Sequence, residues 1–164
     1  MSHQPKLPLD VADASPSPIV DFWNETLAPK FVAFQHILEG GLSRHSENVM
    51  PLLDFRKGDR VLDVGCGFGD TAIAIAERVG REGSVVGLDC CEGFLNIARN
   101  RPEKALAPNV SFLNADAERG LGETEYDAVF SRFGTMFFVS PIAGLRSIRR
   151  ALVPGGRFTH IVWR

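Results

Sequence analysis

The stretch VLDVGCGFGD, residues 61–70, constrains the fold of this chain more than any other. An apolar run from Val61 to Val64 is typical of a buried strand, and three glycines at alternate positions follow it. Because glycine has no Cβ, such a run lets the backbone turn tightly and approach a ligand closely. Asp70 is then a good N-cap residue for a helix. The stretch therefore predicts a strand, a ligand-binding loop and a helix.

The remainder of the chain continues this alternation of strands and helices. We predict strands over 60–64, 84–88, 110–113, 126–130 and 157–163, and helices over 70–79, 92–100 and 141–151. Short strands separated by helices indicate right-handed βαβ units and a parallel sheet.

The segment before the glycines is different in character. Residues 1–18 contain four prolines among polar neighbours, which predicts a flexible lead-in. Apolar residues between 19 and 53 recur at helical spacing, with interruptions at Pro29 and at Gly40–Gly41. This pattern predicts two or three helices ahead of the first strand.

Composition excludes several classes of protein. With 164 residues, 45% of them hydrophobic, the chain is long enough for one domain that buries about 70% of its unfolded surface. A net charge of -2 provides no basic surface for nucleic acid, which we do not expect as a partner. No stretch approaches the roughly 18 apolar residues of a membrane span, and no signal peptide is visible, so we expect a cytoplasmic protein without a membrane partner.

The three cysteines, Cys66, Cys90 and Cys91, lack the spacing of zinc ligands. We therefore expect reduced thiols and no metal site.

The acids around the glycines indicate what kind of ligand the loop binds. The dinucleotide fingerprint requires glycine at its sixth position, where this chain has Asp70, whose carboxylate would repel a pyrophosphate. This argues against a nicotinamide-dependent oxidoreductase. Asp63, Asp89 and Asp116 also lie in or just after predicted strands. An acidic site suits a cation that carries hydroxyls and no phosphate, and S-adenosylmethionine, with its sulfonium, ammonium and ribose diol, has that description.

Several ordered segments resemble one known family. VLDVGCGFG, VVGLDCCEGFL, FLNADAE, YDAVFSRFGTMFF and LVPGGRF are similar to successive motifs of the class I S-adenosylmethionine-dependent methyltransferases, in the branch that acts on small molecules such as quinone precursors. The resemblance covers about residues 58–163. It implies an α/β, Rossmann-like three-layer sandwich with a mostly parallel sheet of strand order 3-2-1-4-5. It also implies an N-terminal helical lid over 19–57 and a cofactor-binding domain over 58–164.

The resemblance further implies which residues contact S-adenosylmethionine. The glycine loop would lie along the methionine part, with Asp63 supporting the loop or the amine. Asp89, after strand two, would bind the ribose hydroxyls, and Cys90 would lie beside the adenine. Asp116 and Ala117, after strand three, would bind the adenine. The end of strand four would border the methyl group. In chain order, the expected cofactor-binding residues are Asp63, Gly65, Cys66, Gly67, Gly69, Asp89, Cys90, Asp116, Ala117, Ser131 and Arg132.

Other roles remain open for some of these positions. Asp89 could cap the helix at 92, and Asp116 could belong to an ordinary polar loop. A further set of side chains could either pack in the core or line the site: Trp23, Phe31, His36, Phe68, Phe133, Met136, Phe137 and Phe138.

The expected reaction is methyl transfer to a small-molecule acceptor by in-line displacement, which requires alignment of the reactants and no dedicated catalytic side chain. The catalytic residues are unknown, and an oxygen, nitrogen or carbon acceptor is equally compatible with the sequence. Where a base is needed, His36, His45 and His160 have a suitable pKa range, but no motif positions them. The alternative function is that of a cofactor-binding module without independent catalysis.

The last predicted strand, RFTHIVWR, generates a prediction about association. The resembling enzymes continue with two further strands and helices, whereas this sequence stops at Arg164 and looks truncated. Strand five would then be an exposed edge carrying Phe158, Ile161 and Trp163, which favours pairing with a second chain. We expect the protein to form a homodimer or to be poorly soluble. Light scattering should then give the mass of a dimer or of larger aggregates. A monodisperse monomer would contradict this expectation.

Overall fold

The computed structural model describes residues 17–121 and 126–163. The predicted flexible lead-in, residues 1–18, lies outside the described residues except for Ser17 and Pro18.

Five parallel strands form the centre of the fold. They are β1 (Arg60–Val64), β2 (Ser84–Asp89), β3 (Val110–Asn114), β4 (Tyr126–Arg132) and β5 (Leu152–Ile161). Their order in the sheet is β3-β2-β1-β4-β5, and every neighbouring pair is parallel. The predicted fold class and strand order are confirmed. Because the order reverses between β1 and β4, their carboxyl ends are the edge at which α/β sheets bind ligands.

Helices cover both faces of this sheet. The helices α4 (Asp70–Val79) and α5 (Glu92–Asn100) lie on one face, and α6 (Pro141–Ala151) lies on the other. Alternation along β1 separates the two layers, since Val61 packs with α4 whereas Leu62 packs with Ile148 of α6. Side chains of β1, β2 and β4 are mostly buried on both faces, as expected for the centre of a parallel sheet.

The N-terminal helices follow one another almost without a break. They are α1 (Pro18–Phe22), a π-helical turn (Trp23–Leu27), α2 (Ala28–Ala33) and α3 (Gln35–Val49). Pro29 is the second residue of α2 and follows the π-helical turn directly, so the helical backbone passes it without ending. The predicted interruption at Gly40–Gly41 is wrong, since both glycines lie inside α3. A glycine in a helix interior costs about 1 kcal/mol relative to alanine, which weakens a helix but does not by itself end it.

No helix within the described residues is long and apolar enough to cross a membrane.

Strand β5 differs from the prediction at its start and in its exposure. It begins at Leu152, which pairs with Tyr126, and its register shifts before Arg157 pairs with Ala128. The expected exposure is found for Trp163, which is 56% exposed, but it is wrong for Phe158 and Ile161. Both side chains are partly buried against the two core layers, because alternate residues of a strand face opposite sides of the sheet.

Two glycines of the loop provide a matched pair of stability variants. A Cβ at Gly65 (φ +70°) would lie 2.7 Å from the Gly134 Cα, whereas a Cβ at Gly67 (φ +54°) would meet no atom within 4 Å. We expect Gly67→Ala to lower the free energy of unfolding by about 1–2 kcal/mol, the cost of a left-handed backbone. Gly65→Ala should lower the free energy of unfolding by a further ~1–3 kcal/mol, because its Cβ would overlap the backbone of Gly134. Equal losses for the two variants in chemical denaturation would contradict the close approach of Gly65 to Gly134.

Candidate functional site

A cavity lies at the carboxyl ends of β1, β2 and β4, beneath the N-terminal helices. Eight of the eleven predicted cofactor-binding residues line it: Gly65, Cys66, Gly67, Asp89, Cys90, Asp116, Ala117 and Arg132. The fold therefore brings together four segments that are far apart in the sequence.

The glycine loop, residues 65–69, is attached to the end of β2 by its own backbone. The amides of Gly65 and Cys66 both donate to the Leu88 carbonyl, at 2.8 and 3.0 Å. The amide of Gly67 donates to Oδ2 of Asp89 at 2.9 Å. All three loop glycines have positive φ, which explains why this turn requires glycine.

Asp89 is a buried carboxylate on the cavity wall. Its Oδ1 accepts a hydrogen bond from the Cys91 amide at 2.9 Å, in addition to the bond from Gly67. Burial raises the pKa of Asp89 to about 6, although these amide bonds oppose the shift. Asp89 does not cap α5, because Cys91 is the N-cap residue and makes no side-chain capping bond. Each carboxylate oxygen retains acceptor capacity for a hydroxyl of a ligand.

Asp116 combines both of the roles left open for it. Its Oδ1 accepts from the Glu118 amide at 2.9 Å and so caps the short turn Ala117–Arg119, while its side chain also lines the cavity. Glu118 lines the cavity too and was not predicted. Its carboxylate accepts from the amides of Val139 and Ser140, at 2.9 and 2.5 Å. No local motif signals this role, because the partners follow β4 in the chain.

Arg132 forms a two-pronged ion pair with Asp70. Its Nη1 and Nη2 donate to the two carboxylate oxygens at 2.7 and 2.8 Å, and Nη1 also donates to Ser46 Oγ of α3 at 2.9 Å. Asp70 does not line the cavity. The sequence interpretation that Asp70 contributes a free negative charge to the site is therefore wrong, since Arg132 neutralises it.

Three predicted residues lie outside the cavity wall. Asp63 is fully buried, and its Oδ2 accepts from Thr71 Oγ1 at 2.5 Å. Gly69 faces Phe112 and Ala98, so a Cβ there would fall within 3 Å of both side chains. Ser131 is fully buried and its Oγ accepts from the Thr135 amide at 3.3 Å. These positions support the loops around the cavity and do not face into it.

Aromatic rings form part of the apolar wall, together with aliphatic side chains. The Trp23 ring lies edge-on to Phe31 and Phe137, with centroids 5.4 and 4.9 Å away, and Phe68 meets Phe94 at 4.9 Å. Of the side chains left open between core and site, six line the cavity: Trp23, Phe31, Phe68, Phe133, Phe137 and Phe138. Met136 does not line it, and neither does His36.

The remaining candidate bases also lie away from the cavity. His45 packs edge-on against Phe133 and Trp163, with ring centroids 5.5 and 5.1 Å apart. His160 Nδ1 lies 3.0 Å from Thr135 Oγ1. None of the three predicted histidines lines the cavity.

The residues of the wall fit an adenosyl sulfonium. Carboxylates supply acceptors for a diol and an amine, and aromatic faces attract a sulfonium. Among the described residues, no group of three or more His, Cys, Asp or Glu side chains is placed to hold a metal ion.

Comparison with known proteins decides the family. Residues 61–156 match the family described as "Methyltransferase domain". The chain belongs to this methyltransferase family. The resemblance to class I S-adenosylmethionine-dependent methyltransferases is thereby confirmed.

Relatives and solved structures agree with this assignment. The chain is 34% identical, over 135 residues, to the ubiquinone/menaquinone biosynthesis C-methyltransferase UbiE of Pseudomonas putida. The matched region covers 80% of this chain and 53% of that protein. The chain thus spans about half the length of such relatives. A SAM-dependent methyltransferase from Aquifex aeolicus superposes with a TM-score of 0.65 at 26% identity, over 72% of this chain and 63% of that one. A SAM-dependent O-methyltransferase from Thermotoga maritima superposes with a TM-score of 0.60 at 29% identity. The match covers 71% of this chain and 43% of that one.

The buried Asp63 predicts a pH dependence of stability. Burial raises its pKa from 3.8 to about 7, so the folded protein retains a proton that the unfolded chain loses between about pH 4 and pH 7. Its contribution to the free energy of unfolding therefore falls as the pH rises through this window. We expect the free energy of unfolding of Asp63→Asn to rise relative to that of the parent between about pH 4 and pH 7, and the difference to stay constant above about pH 7. Chemical denaturation at a series of pH values measures both. A difference that does not change with pH would contradict this prediction.

Proposed function

We propose that this chain binds S-adenosylmethionine in the cavity and transfers its methyl group to a small-molecule acceptor. The observation that carries the proposal is the buried Asp89 carboxylate at the end of β2. It is held by the amides of Gly67 and Cys91 and borders a cavity whose other walls are largely apolar.

The arrangement of the wall supports one orientation of the cofactor. Asp89 accepts from the ribose hydroxyls, and Cys90, Asp116 and Ala117 border the adenine. The methionine part lies along the glycine loop. The methyl group then faces the end of β4, where Arg132 lines the cavity and Ser131 lies buried behind it.

When bound, the cofactor supplies an electrophilic methyl group on a sulfonium whose leaving group is neutral. The chain contributes orientation, because a donor and an acceptor held in line react far faster than free ones. The rings of Trp23, Phe31 and Phe137 exclude water from the part of the cavity that holds the methyl group, and they attract the sulfonium.

The N-terminal helices act as a lid in this proposal. Residues of α1, of the π-helical turn and of α3 line the cavity on the side opposite the sheet: Ile19, Val20, Trp23, Leu38, Glu39 and Leu42. Ligands therefore enter by displacement of these helices or between them. Their apolar side chains favour an acceptor with a large apolar surface.

We further propose that the protein acts in the cytoplasm, takes no nucleic acid as a partner, and forms a homodimer through the edge of β5. The position of β5 at the edge of the sheet supports the last of these.

A cofactor-binding module without independent catalysis is the second candidate. Where the acceptor needs a general base, this candidate is favoured by the position of His36, His45 and His160, none of which lines the cavity. The two candidates differ in turnover and not in cofactor binding.

Calorimetric titration with S-adenosylmethionine and S-adenosylhomocysteine tests the site. We expect micromolar binding by the parent and none by Asp89→Ala, because the variant loses the ribose acceptor and the bond that holds Gly67. Asp54→Ala is the matched control, since Asp54 is exposed, pairs with Arg56 and does not line the cavity. Unchanged affinity in Asp89→Ala would disprove the assignment. Binding without release of S-adenosylhomocysteine across a panel of acceptors would favour the module.

A further inference from the structure

Arg132 is the one basic side chain among the described residues that line the cavity. It ends β4, and its side chain is only 9% exposed. Four carboxylates share the wall with it, and each has its own partners. Glu39 pairs with Arg101, Asp89 and Glu118 accept from amides, and Asp116 accepts from an amide beside Arg119.

The hydrogen bonds of the Arg132 guanidinium leave one edge open. Of its five N–H groups, two on Nη1 donate to Ser46 and Asp70, and one on Nη2 donates to Asp70. The second Nη2–H and the Nε–H donate to no described residue. These two N–H groups are parallel and form the second fork of a guanidinium, whose spacing matches the two oxygens of a carboxylate.

Asp70 and Ser46 hold this open fork in place. Because the opposite edge of the guanidinium is already bonded to both Asp70 oxygens, the side chain loses little further rotamer freedom when a ligand binds. The ion pair also neutralises Asp70, which lessens its repulsion of an incoming anion. The arrangement is therefore pre-organised for a second, bidentate carboxylate.

The position of Arg132 indicates which carboxylate this is. Gly134 lies two residues after Arg132. A Cβ added at Gly65 would lie only 2.7 Å from the Gly134 Cα, so the segment after Arg132 lies directly against the glycine loop. In the orientation proposed above, the methionine part of the cofactor lies along that loop. We propose that the open fork of Arg132, formed by Nε–H and one Nη2–H, binds the α-carboxylate of the cofactor. This inference rests on the proposed function.

Two ligands that differ only in that carboxylate test the proposal by calorimetry. They are S-adenosylhomocysteine and its decarboxylated analogue, in which a 3-aminopropyl group replaces the amino-acid chain. We expect the parent to bind S-adenosylhomocysteine roughly ten- to a hundred-fold more tightly, as two charge-assisted hydrogen bonds require. In Arg132→Lys, which retains the charge without the fork, the two affinities should agree within about three-fold.

Asp70→Asn is the matched control variant. It weakens the ion pair, as Arg132→Lys does, but both N–H groups of the fork remain and Ser46 still accepts from Nη1, so the preference for the carboxylate should fall but persist. A loss of the preference in both variants would mean that the ion pair alone shapes the site, and it would overturn the proposal.

The parent protein provides a test that does not depend on how any variant folds. Equal affinity of the parent for the two ligands would overturn the role of Arg132 while leaving the cofactor site in place. Binding of neither ligand would overturn the proposed function, and this inference with it.

Discussion

The attachment of the glycine loop to the end of β2 is the interaction on which the site depends. Two amides of the loop share the Leu88 carbonyl, and a third donates to the side chain of Asp89. These bonds satisfy the loop's amides from the neighbouring strand. One carboxylate thereby shapes the loop and also presents its remaining acceptor positions to the cavity, so the backbone and the ligand-binding group are positioned together.

A second connection joins the layers of the fold. Arg132 at the end of β4, Asp70 at the start of α4 and Ser46 on α3 form one hydrogen-bonded group between the sheet, the first βα helix and the N-terminal helices. A largely buried ion pair contributes little net stability, because desolvation offsets much of its attraction. Its value here is geometric, since it fixes where α3 passes over the cavity and how the guanidinium is oriented.

Much of the fold was predictable from the sequence. Each strand from β1 to β4 and each helix from α4 to α6 lies within two residues of its predicted bounds, because apolar runs and glycine turns are local signals. The N-terminal region was harder. Gly40–Gly41 has the composition of a break, yet it lies within α3, because glycine lowers helix propensity without ending a helix by itself. At β5, a register shift after Leu152 depends on pairing with Tyr126, which no local pattern encodes.

The sequence by itself determined the strand–loop–helix unit, the strand order expected of the family, and the acids that follow β2 and β3. The unit and the acids follow from residue spacing and from glycine's access to positive φ, both of which act over a few positions, whereas the strand order was implied by the family resemblance. Only the tertiary structure decided which acids face the cavity. Asp89 and Asp116 reach it, whereas Asp63 is buried beneath the loop and Asp70 is paired with Arg132. The same holds for the aromatic wall and for Glu118. The direction and pairing of a side chain depend on neighbours from distant segments, which become adjacent only when the sheet assembles and the N-terminal helices cover it.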